Sequence, residues 1–264
     1  MQQLSRSILR KIRKPKLNSH KGDNGSLLLI GGSERYHGAL VLAASIASKI
    51  VDLVYVSSVP ENLRLIRKMK SELAEFIAIP KEKINTTVRE ADAILVGPGL
   101  QENRRTALLV NRLLKSTTKP IVLDAAAIKS VQVKNLRENT ILTPHAKEFE
   151  VLFRMRATPE NAQRTAKKHG CIIVLKGKED IICSASTCAK NNTGHVGMTK
   201  GGTGDVLAGL ISALACTNDP LTAAQAGTWL NGRAGEQIAK RFGRSYAAGD
   251  LIPEIQKLLA RGVA

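Results

Sequence analysis

Aromatic residues are scarce in this sequence, and acidic residues are outnumbered by basic ones. Phe, Trp and Tyr make up 3% of the 264 residues, and 40 Lys and Arg against 22 Asp and Glu give a formal net charge of +18. So few aromatic rings provide few stacking platforms for single-stranded nucleic acid, and no nucleic-acid-binding motif is present. We therefore expect a solvated basic surface and no nucleic-acid partner. The charge is also suited to attracting a polyphosphate ligand.

Long apolar segments and cysteine motifs are also missing. The longest uncharged apolar run, Ala39–Ala47, is far shorter than the ~20 residues of a membrane-spanning helix, so no membrane partner is expected. No basic segment followed by an apolar one opens the chain, which argues against a secretory signal. The four cysteines form no Cys-x-x-Cys pair. We expect no zinc site and reduced cysteines in a cytoplasmic protein.

The rest of the composition is that of a globular protein, with 43% hydrophobic residues. No linker, repeat or low-complexity tract divides the chain, so we predict a single domain over residues 21–264. Residues 1–20 carry six Lys and Arg and no acid, and we predict a basic helix there that ends near Pro15. This segment offers no candidate ligand group, and we expect deletion of residues 1–16 to leave catalysis intact.

Short β-rich segments alternate with longer helical patterns along most of the chain. The apolar runs are continuous, which is typical of strands buried on both faces of a parallel sheet. The alternation predicts an α/β fold, a three-layer α/β/α sandwich with a mostly parallel central sheet. The predicted strands are 27–30, 53–57, 93–96, 120–124, 140–142 and 171–175, the predicted helices are 39–50, 61–69, 104–116, 144–153 and 159–168, and a hairpin is predicted over 180–189.

The most specific motif is a glycine-rich loop that leads directly into an apolar helix, Lys200–Gly209 (KGGTGDVLAG). Bare glycines let backbone N–H groups approach a ligand, and the start of a helix adds partial positive charge, so this loop can bind an anion. Asp205 follows the glycines, where its carboxylate would point toward the bound group. An ordinary helix start can contain the same residues, and the other motifs make a functional loop the favoured interpretation.

Five further motifs flank the predicted strands. The carboxyl ends of parallel strands meet at one edge of a sheet, where ligands of α/β proteins bind. His145 lies at such an end, although a lone His is as often a packing residue. No Walker loop, dinucleotide fingerprint or serine-hydrolase elbow is present. The five motifs are KGDNG (21–25), GGS with YHGA (31–39), GPGL (97–100), TPHAKEF (143–149) and LKG (175–177).

In this order the motifs resemble the ADP/ATP-dependent NAD(P)H-hydrate dehydratase family of the ribokinase-like superfamily, from about residue 21 to about residue 259. The resemblance implies a ribokinase-like fold and a hydro-lyase. ADP or ATP phosphorylates the ring hydroxyl of the S epimer of NAD(P)H hydrate, and loss of phosphate restores NAD(P)H. It further implies Mg²⁺ on the nucleotide phosphates, a homo-oligomer (a tetramer), and a separate epimerase for the other epimer.

The resemblance also assigns site residues, although it assigns none to a metal. Asp205 would be the catalytic base that accepts or orients the hydroxyl proton. Together with Ala39, Gly99 and His145, it would contact the hydrate. The residues that it implies for the adenine nucleotide are Lys176, Gly177, Lys178, Glu179, Asp180, Val196, Gly197, Met198, Thr199, Lys200, Gly201, Gly202, Thr203 and Gly204.

One position departs from the family pattern Leu-Asp-Ala-Asp-Ala-Leu. Residues 123–128 keep the first Asp as Asp124 but have Ala126 in place of the second. Because the main loops are intact, we still expect an active enzyme. A ribokinase-like small-molecule kinase is the first alternative, since the GGTGD loop fits both, and a nucleic-acid-binding protein, suggested by the net charge of +18, is the second and less favoured one. Asp52 is interpreted as a surface residue, so we expect hydrated NADH and NADPH both to be accepted, with the 2′-phosphate favoured by general charge and not by a dedicated pocket.

Overall fold

The computed structural model describes residues 1–68 and 74–263, and ten strands of these residues form one sheet. The strands are β1 (Gln2–Gln3), β2 (Ser26–Ile30), β3 (Leu53–Ser57), β4 (Ile77–Ile79), β5 (Ala93–Val96), β6 (Ile121–Leu123), β7 (Thr140–Leu142), β8 (Ile172–Leu175), β9 (Asp180–Cys183) and β10 (Cys188–Asn191). Their order across the sheet is β1-β10-β9-β8-β7-β6-β5-β2-β3-β4. Only the pairs β8–β9 and β9–β10 are antiparallel among these strands.

Helices cover both faces of the sheet, as the continuous apolar strands require. They are α1 (Gly38–Ala47), α2 (Pro60–Lys68), α3 (Ile84–Glu90), α4 (Arg104–Ser116), α5 (Ala126–Ser130), α6 (Ala146–Phe153), α7 (Pro159–His169), α8 (Thr203–Ala215), α9 (Pro220–Phe242) and α10 (Leu251–Val263). One core lies between the sheet and α1, α8, α9 and α10, and a second lies between the opposite face and α3 to α7. No helix within residues 1–68 and 74–263 is long and apolar enough to span a membrane.

The chain reverses its direction across the sheet at β2. From β2 it proceeds outward through β3 and β4, and then returns to the other side of β2 with β5. In open α/β sheets, ligands bind in the crevice outside the carboxyl ends of the strands at such a reversal. The loops after β2 and β5, which contain the GGS and GPGL motifs, therefore lie beside each other at a position suited to ligand binding.

The predicted three-layer α/β/α sandwich is confirmed, and the six predicted strands match β2, β3, β5, β6, β7 and β8 to within a residue at each end. The predicted hairpin is also present as β9 and β10. The helix predicted over 61–69 is α2, although Met69 lies outside the described residues. β4 and α3 were not predicted, because a strand of three residues and a helix of seven give weak periodic patterns.

The N-terminal segment packs against the rest of the protein, which corrects the predicted basic helix. Residues Arg6–Lys11 form a short 3₁₀ helix against α9 and α10, and β1 pairs with β10 at the sheet edge. The apolar side chains of the segment belong to the core while its basic side chains are exposed, so a deletion of residues 1–16 would remove core packing as well as charge. The division of the chain at residue 20 stays a prediction. The buried residues are Leu4, Ile8, Leu9 and Ile12.

We expect Leu9→Ala to lower the free energy of unfolding by about 2–5 kcal/mol, because the side chain is fully buried and its removal leaves a cavity. Arg10→Gln, at the exposed neighbouring position, is the control and should change it by less than about 0.5 kcal/mol. Urea denaturation of the two variants checks this expectation. Equal, small effects would show that the segment does not pack as described.

Two cysteines form a disulfide, which corrects the expectation that all four are reduced. Cys183 on β9 lies directly opposite Cys188 on β10, with Cα atoms 4.1 Å apart, and their sulfur atoms are bonded. The expectation of reduced cysteines rested on the absence of Cys-x-x-Cys pairs from the sequence. The two cysteines are five residues apart, and only the register of the hairpin shows that they face each other. Cys171 and Cys216 are free.

Candidate functional site

Asp205 lies in the first turn of α8, directly after the glycine-rich loop, as predicted. Every residue of α8 from Val206 to Ala215 is buried, and the helix packs against α1 and α9. Its approach to α1 is close, since a Cβ built on Gly209 would lie 2.6 Å from the carbonyl oxygen of Ala43. The core therefore fixes the position of the half-buried Asp205 carboxylate.

The environment of Asp205 disfavours its charge. Burial is the main cause, and the nearby Asp124 carboxylate adds to it, while Lys176 acts in the opposite direction; together they raise the pKa of Asp205 to about 6. A carboxylate with this pKa is mostly ionised at neutral pH and binds a proton more readily than an exposed Asp. The side chain is thus suited to act as a general base.

Asp124 and Lys176 form an ion pair beside Asp205. The Nζ atom of Lys176 lies 3.1 Å from Oδ1 of Asp124, and the hydroxyl of Thr143 donates a hydrogen bond of 2.7 Å to the same oxygen. Gly97 makes this arrangement possible, because it has φ of +131° and a Cβ at this position would overlap the carbonyl oxygen of Asp124. The loops after β5, β6, β7 and β8 thus converge on one buried carboxylate.

Lys176 is held in its charged form by this cluster. Burial alone would lower its pKa, but the carboxylates of Asp124, Glu148 and Asp205 outweigh burial and raise it. The ammonium group also reaches the anion-binding loop, since a Cβ built on Gly204 would lie 3.6 Å from Nζ. The resemblance assigned Lys176 to the adenine nucleotide in general. The structure places its charge at the loop, between two carboxylates.

His145 is the N-cap of α6. Its Nδ1 accepts a hydrogen bond from the backbone N–H of Glu148, and the Glu148 carboxylate accepts one from the backbone N–H of His145. These bonds leave Nε2 to carry the ring proton, with an exposed ring edge. His145 also forms a β-bridge with Lys176. The capping role accounts for part of the TPHAKEF motif, and the bridge brings the backbone of His145 beside that of Lys176.

Ala39 and Gly99, the other predicted hydrate contacts, lie together at the reversal point of the sheet. A Cβ built on Gly99 would lie 3.3 Å from Cβ of Ala39 and 3.1 Å from Cα of Gly32. Ala39 belongs to the first turn of α1, the helix that packs on α8. The GGS and GPGL motifs are therefore in direct contact.

A cavity of about 770 Å³ opens on the other side of Lys176, between the β8–β10 region and the loop before α8. Nine of the residues predicted to bind nucleotide line it: Lys176, Gly177, Lys178, Asp180, Val196, Met198, Thr199, Thr203 and Gly204. The other five predicted residues are not among those that line it: Glu179, Gly197, Lys200, Gly201 and Gly202. The volume is that of a small-ligand site.

Some of these five residues have structural contacts. Glu179 pairs with Lys190 at 3.4 Å. The Nζ atom of Lys200 donates a 2.7 Å hydrogen bond to the carbonyl oxygen of Tyr246, and Gly197 packs against the ring of that tyrosine. These contacts hold the loop that precedes α8 in place.

Several cavity residues were missed by sequence reasoning, and α9 contributes three of them: Thr228, Asn231 and Gly232. Their spacing at positions i, i+3 and i+4 puts them on one helix face, which was a usable signal. Oδ1 of Asn231 is buried and, among the described residues, has no hydrogen-bond partner. A Cβ at Gly232 would overlap Thr193, so glycine is needed there. Thr228, Asn231 and Gly232 therefore form one wall of the cavity, while the Oδ1 atom of Asn231 is shielded from it. The other missed residues are Asn192, Thr193, Gly194, His195 and Leu207.

Asp52 has a structural role beyond that of a surface residue. Its carboxylate accepts hydrogen bonds from the backbone N–H groups of Gly22 and Asn24 and from the side chain of Asn24. Burial opposes its charge, but these bonds outweigh burial and lower its pKa. Asp52 therefore fixes the KGDNG loop.

A parallel α/β sheet with a glycine loop, a buried base and a nucleotide-sized cavity at its carboxyl edge defines a ribokinase-like protein. A ribokinase-like superfamily protein from Enterococcus faecalis superimposes with a TM-score of 0.90 at 26% identity, over 99% of this chain and 96% of that one. The chain belongs to the NAD(P)H-hydrate dehydratase family, whose model matches residues 27–257.

Individual relatives agree with this assignment. A bifunctional NAD(P)H-hydrate repair enzyme of Methanocaldococcus jannaschii is 41% identical over 95% of this chain and 51% of its own length. The chain spans about half the length of this relative and of the bifunctional NAD(P)H-hydrate repair enzyme of Archaeoglobus fulgidus. An ADP-dependent (S)-NAD(P)H-hydrate dehydratase of Nitrosopumilus maritimus is 35% identical over 92% of this chain and 91% of its own. The ADP/ATP-dependent dehydratase of Bacillus subtilis, co-crystallised with ATP and Mg²⁺, has a TM-score of 0.86 at 26% identity, over 99% and 98% of the chains.

Proposed function

We propose that this protein restores damaged NADH and NADPH by ADP- or ATP-dependent dehydration of the S epimer of their hydrates. The observation that carries the proposal is the placement of Asp205, with its raised pKa, at the end of an anion-binding loop beside Lys176. Family membership and the names of the relatives support the choice of substrate.

The first proposed step is phosphorylation of the ring hydroxyl. Asp205 takes the hydroxyl proton as the oxygen attacks the terminal phosphoryl group, and the shortened nucleotide leaves. The Asp205 carboxylate can do this at neutral pH because it is ionised above about pH 6. Ala39, Gly99 and His145 are proposed to hold the ring, since all three lie near the converging loops.

Stabilisation of the phosphoryl charge is assigned to the loop and to Lys176. Phosphoryl transfer depends mainly on positioning and on neutralising negative charge. The N-terminus of α8 supplies backbone N–H groups, and the Lys176 ammonium lies against Gly204. In the second step the C–O bond to phosphate breaks and the neighbouring ring carbon loses a proton, which restores the double bond and releases inorganic phosphate.

The nucleotide is proposed to occupy the 770 Å³ cavity, against Asn231 and Gly232 of α9. A Mg²⁺ ion would arrive with the nucleotide phosphates. Among the described residues there is no cluster of three or more metal-ligating side chains. Asp124 is engaged by Lys176, and Ala126 stands where the family has a second Asp. Mg²⁺ with few protein carboxylates is typical of nucleotide sites, and the ion would neutralise phosphate charge. Asp180 is the carboxylate of the cavity lining that would hold it, in exchange for a hydrogen bond that it now accepts from the backbone N–H of Gly177 or the side chain of Asn191.

A ribokinase-like small-molecule kinase is the second candidate, because a hydroxyl, a base and a nucleotide are common to both reactions. The two differ in their product. A kinase leaves a stable phosphate ester, while the dehydratase releases inorganic phosphate. We further propose a cytoplasmic homo-oligomer, and an epimerase activity that supplies the S epimer.

The test is incubation of acid-hydrated NADH with ADP or ATP and Mg²⁺, following recovery of the absorbance of the reduced ring and release of phosphate. We expect recovery and phosphate in equal amounts, with a faster rate for one of the two nucleotides. Accumulation of a phosphorylated product without recovery would favour the kinase. No nucleotide-dependent recovery with either nucleotide would contradict the proposed function.

A further inference from the structure

A second cavity, which we call the distal cavity, lies at the same edge of the sheet. It has about 890 Å³ and is lined by the loops after β2, β3 and β5 and by the first turns of α2 and α4. Its volume is within the range of about 300–1,000 Å³ for small-ligand sites. Neither the catalytic residues nor the residues assigned to the adenine nucleotide line it.

The distal cavity begins where the hydrate contacts end. Gly32 lines the cavity, and the backbone of Gly99 approaches both Gly32 and Ala39. Leu100, the next residue of the GPGL motif, also lines the cavity. A ligand held at Ala39 and Gly99 can therefore continue into it.

The order of the strands places the two cavities on opposite sides of the reacting centre. The nucleotide cavity adjoins β8–β10, and the distal cavity adjoins β5, β2, β3 and β4. Asp124, after β6, and His145, after β7, lie between them. With the nucleotide co-substrate in the cavity on the β8–β10 side, the part of a long substrate beyond the reacting ring has room in the distal cavity on the β2–β4 side.

Four cationic side chains from three separate segments line the distal cavity: Arg64, Arg67, Lys81 and Arg105. Arg64 pairs with Glu61 at 3.8 Å. In the described part of the chain, no ion pair joins Arg67, Lys81 or Arg105 to a carboxylate. Glu34, Glu61 and Glu82 also line the cavity. Such a mixture suits a ligand that carries both phosphates and ribose hydroxyls, because guanidinium groups bind phosphate and carboxylates accept from hydroxyls.

The N-termini of two helices add partial positive charge to the distal cavity. α2 and α4 begin at the cavity, with Pro60 and Asn103 among its lining residues. A helix N-terminus carries partial positive charge, which favours an anionic ligand. The cations and the helix starts thus act on the same space.

We propose that the distal cavity binds the second, phosphate-bearing nucleotide of the dinucleotide hydrate, with Arg67 and Arg105 contacting its phosphate groups. The inference rests on the proposed function, because it takes the ring at Asp205 as one end of the substrate. It replaces the expectation that general surface charge alone accommodates the adenosine end. The hydrate therefore lies along the sheet edge, from Asp205 to α2.

The test compares Arg67→Gln, Arg105→Gln and the double variant with two substrates: hydrated NADPH, and the hydrate of reduced nicotinamide mononucleotide, which lacks the second nucleotide. Loss of one charge-assisted hydrogen bond should raise KM for hydrated NADPH about 10-fold. We expect KM for ATP, and kcat/KM for the mononucleotide hydrate, to stay unchanged. Arg164→Gln, on α7 and outside the distal cavity, is the control of equal charge change.

Equal losses with both substrates, or no loss with hydrated NADPH, would overturn the inference. Calorimetric binding of NADPH itself gives a second readout that needs no turnover. In this binding measurement, the Kd for NADPH should rise about 10-fold in each arginine variant and stay unchanged in Arg164→Gln. Absence of repair by the wild-type protein would contradict the proposed function, while the NADPH affinities would still decide whether the cavity binds a dinucleotide.

Discussion

Asp205→Asn is expected to lower kcat by about 10²–10⁴-fold, the usual contribution of a general base. The amide retains the shape of the carboxylate but cannot accept the hydroxyl proton. Nucleotide affinity should persist, because Asp205 does not line the 770 Å³ cavity. The measurement is hydrate repair under saturating ATP, together with calorimetric ATP binding. Near wild-type turnover would remove Asp205 from the mechanism.

The same substitution should stabilise the fold at neutral pH. Folding raises the pKa of Asp205 from its usual 3.8 to about 6, so the folded state binds more protons than the unfolded state between these values. Stability of the wild-type protein therefore falls as pH rises through this window. Asn carries no such penalty, and the variant should gain about 1–3 kcal/mol at pH 8, since each pKa unit corresponds to about 1.4 kcal/mol and part is lost to solvent screening.

Urea denaturation at pH 8 and pH 4 checks this expectation, because the difference should nearly vanish at the lower pH. Asp23→Asn, at an exposed position of the KGDNG loop, is a control for the loss of one carboxylate. Because this loop lies away from the site, the control should have a small effect on turnover. A variant that loses stability at pH 8 would show that the Asp205 carboxylate is stabilised in the fold, contrary to its raised pKa.

The strands and the motifs at their ends could be predicted because they depend on local sequence. Continuous apolar runs predict buried strands, and a glycine loop before an apolar helix predicts an anion site. The chain order of the motifs then matched one family. Asp205 was found in this way, at the first turn of α8 where the sequence had placed it.

Features that depend on packing between distant residues could not be predicted. Leu4, Ile8, Leu9 and Ile12 follow a helical pattern, but only the structure shows that α9 and α10 cover them. The same holds for the Cys183–Cys188 bond, which requires the hairpin register. The distal cavity is formed by segments that are far apart in sequence, so its arginines looked like ordinary surface charge.

The ion pair of Asp124 and Lys176 was likewise hidden, although both residues stood in recognised motifs. Its two charges act on Asp205 in opposite directions: Asp124 raises the pKa of Asp205 and Lys176 lowers it. Burial is the main cause of the raised pKa of Asp205, and the two charges of the pair adjust that pKa in opposite directions. Substitution of either residue should therefore shift the pH dependence of catalysis as well as lower the activity.

We expect Lys176→Met to shift the acidic limb of the kcat/KM profile above pH 6, because the charge that favours ionised Asp205 is lost. The variant should also lose about 10²–10³-fold in kcat, as on removal of a donor to a charged transition state. Asp124→Asn should shift the limb in the opposite direction, below pH 6. Lys176→Arg, which keeps the charge, should leave the limb near its wild-type position.

Either single variant leaves a buried charge without its partner, which costs about 3–5 kcal/mol, so thermal unfolding must first confirm that each is folded. The double variant Asp124→Asn/Lys176→Met removes both charges and leaves burial as the main influence on Asp205. Its limb should therefore lie between those of the two single variants. Limbs that move in the same direction, or that do not move, would show that the ion pair positions the loops without tuning the base. Opposite shifts would show that the two charges of this buried pair tune the ionisation of Asp205 in opposite directions.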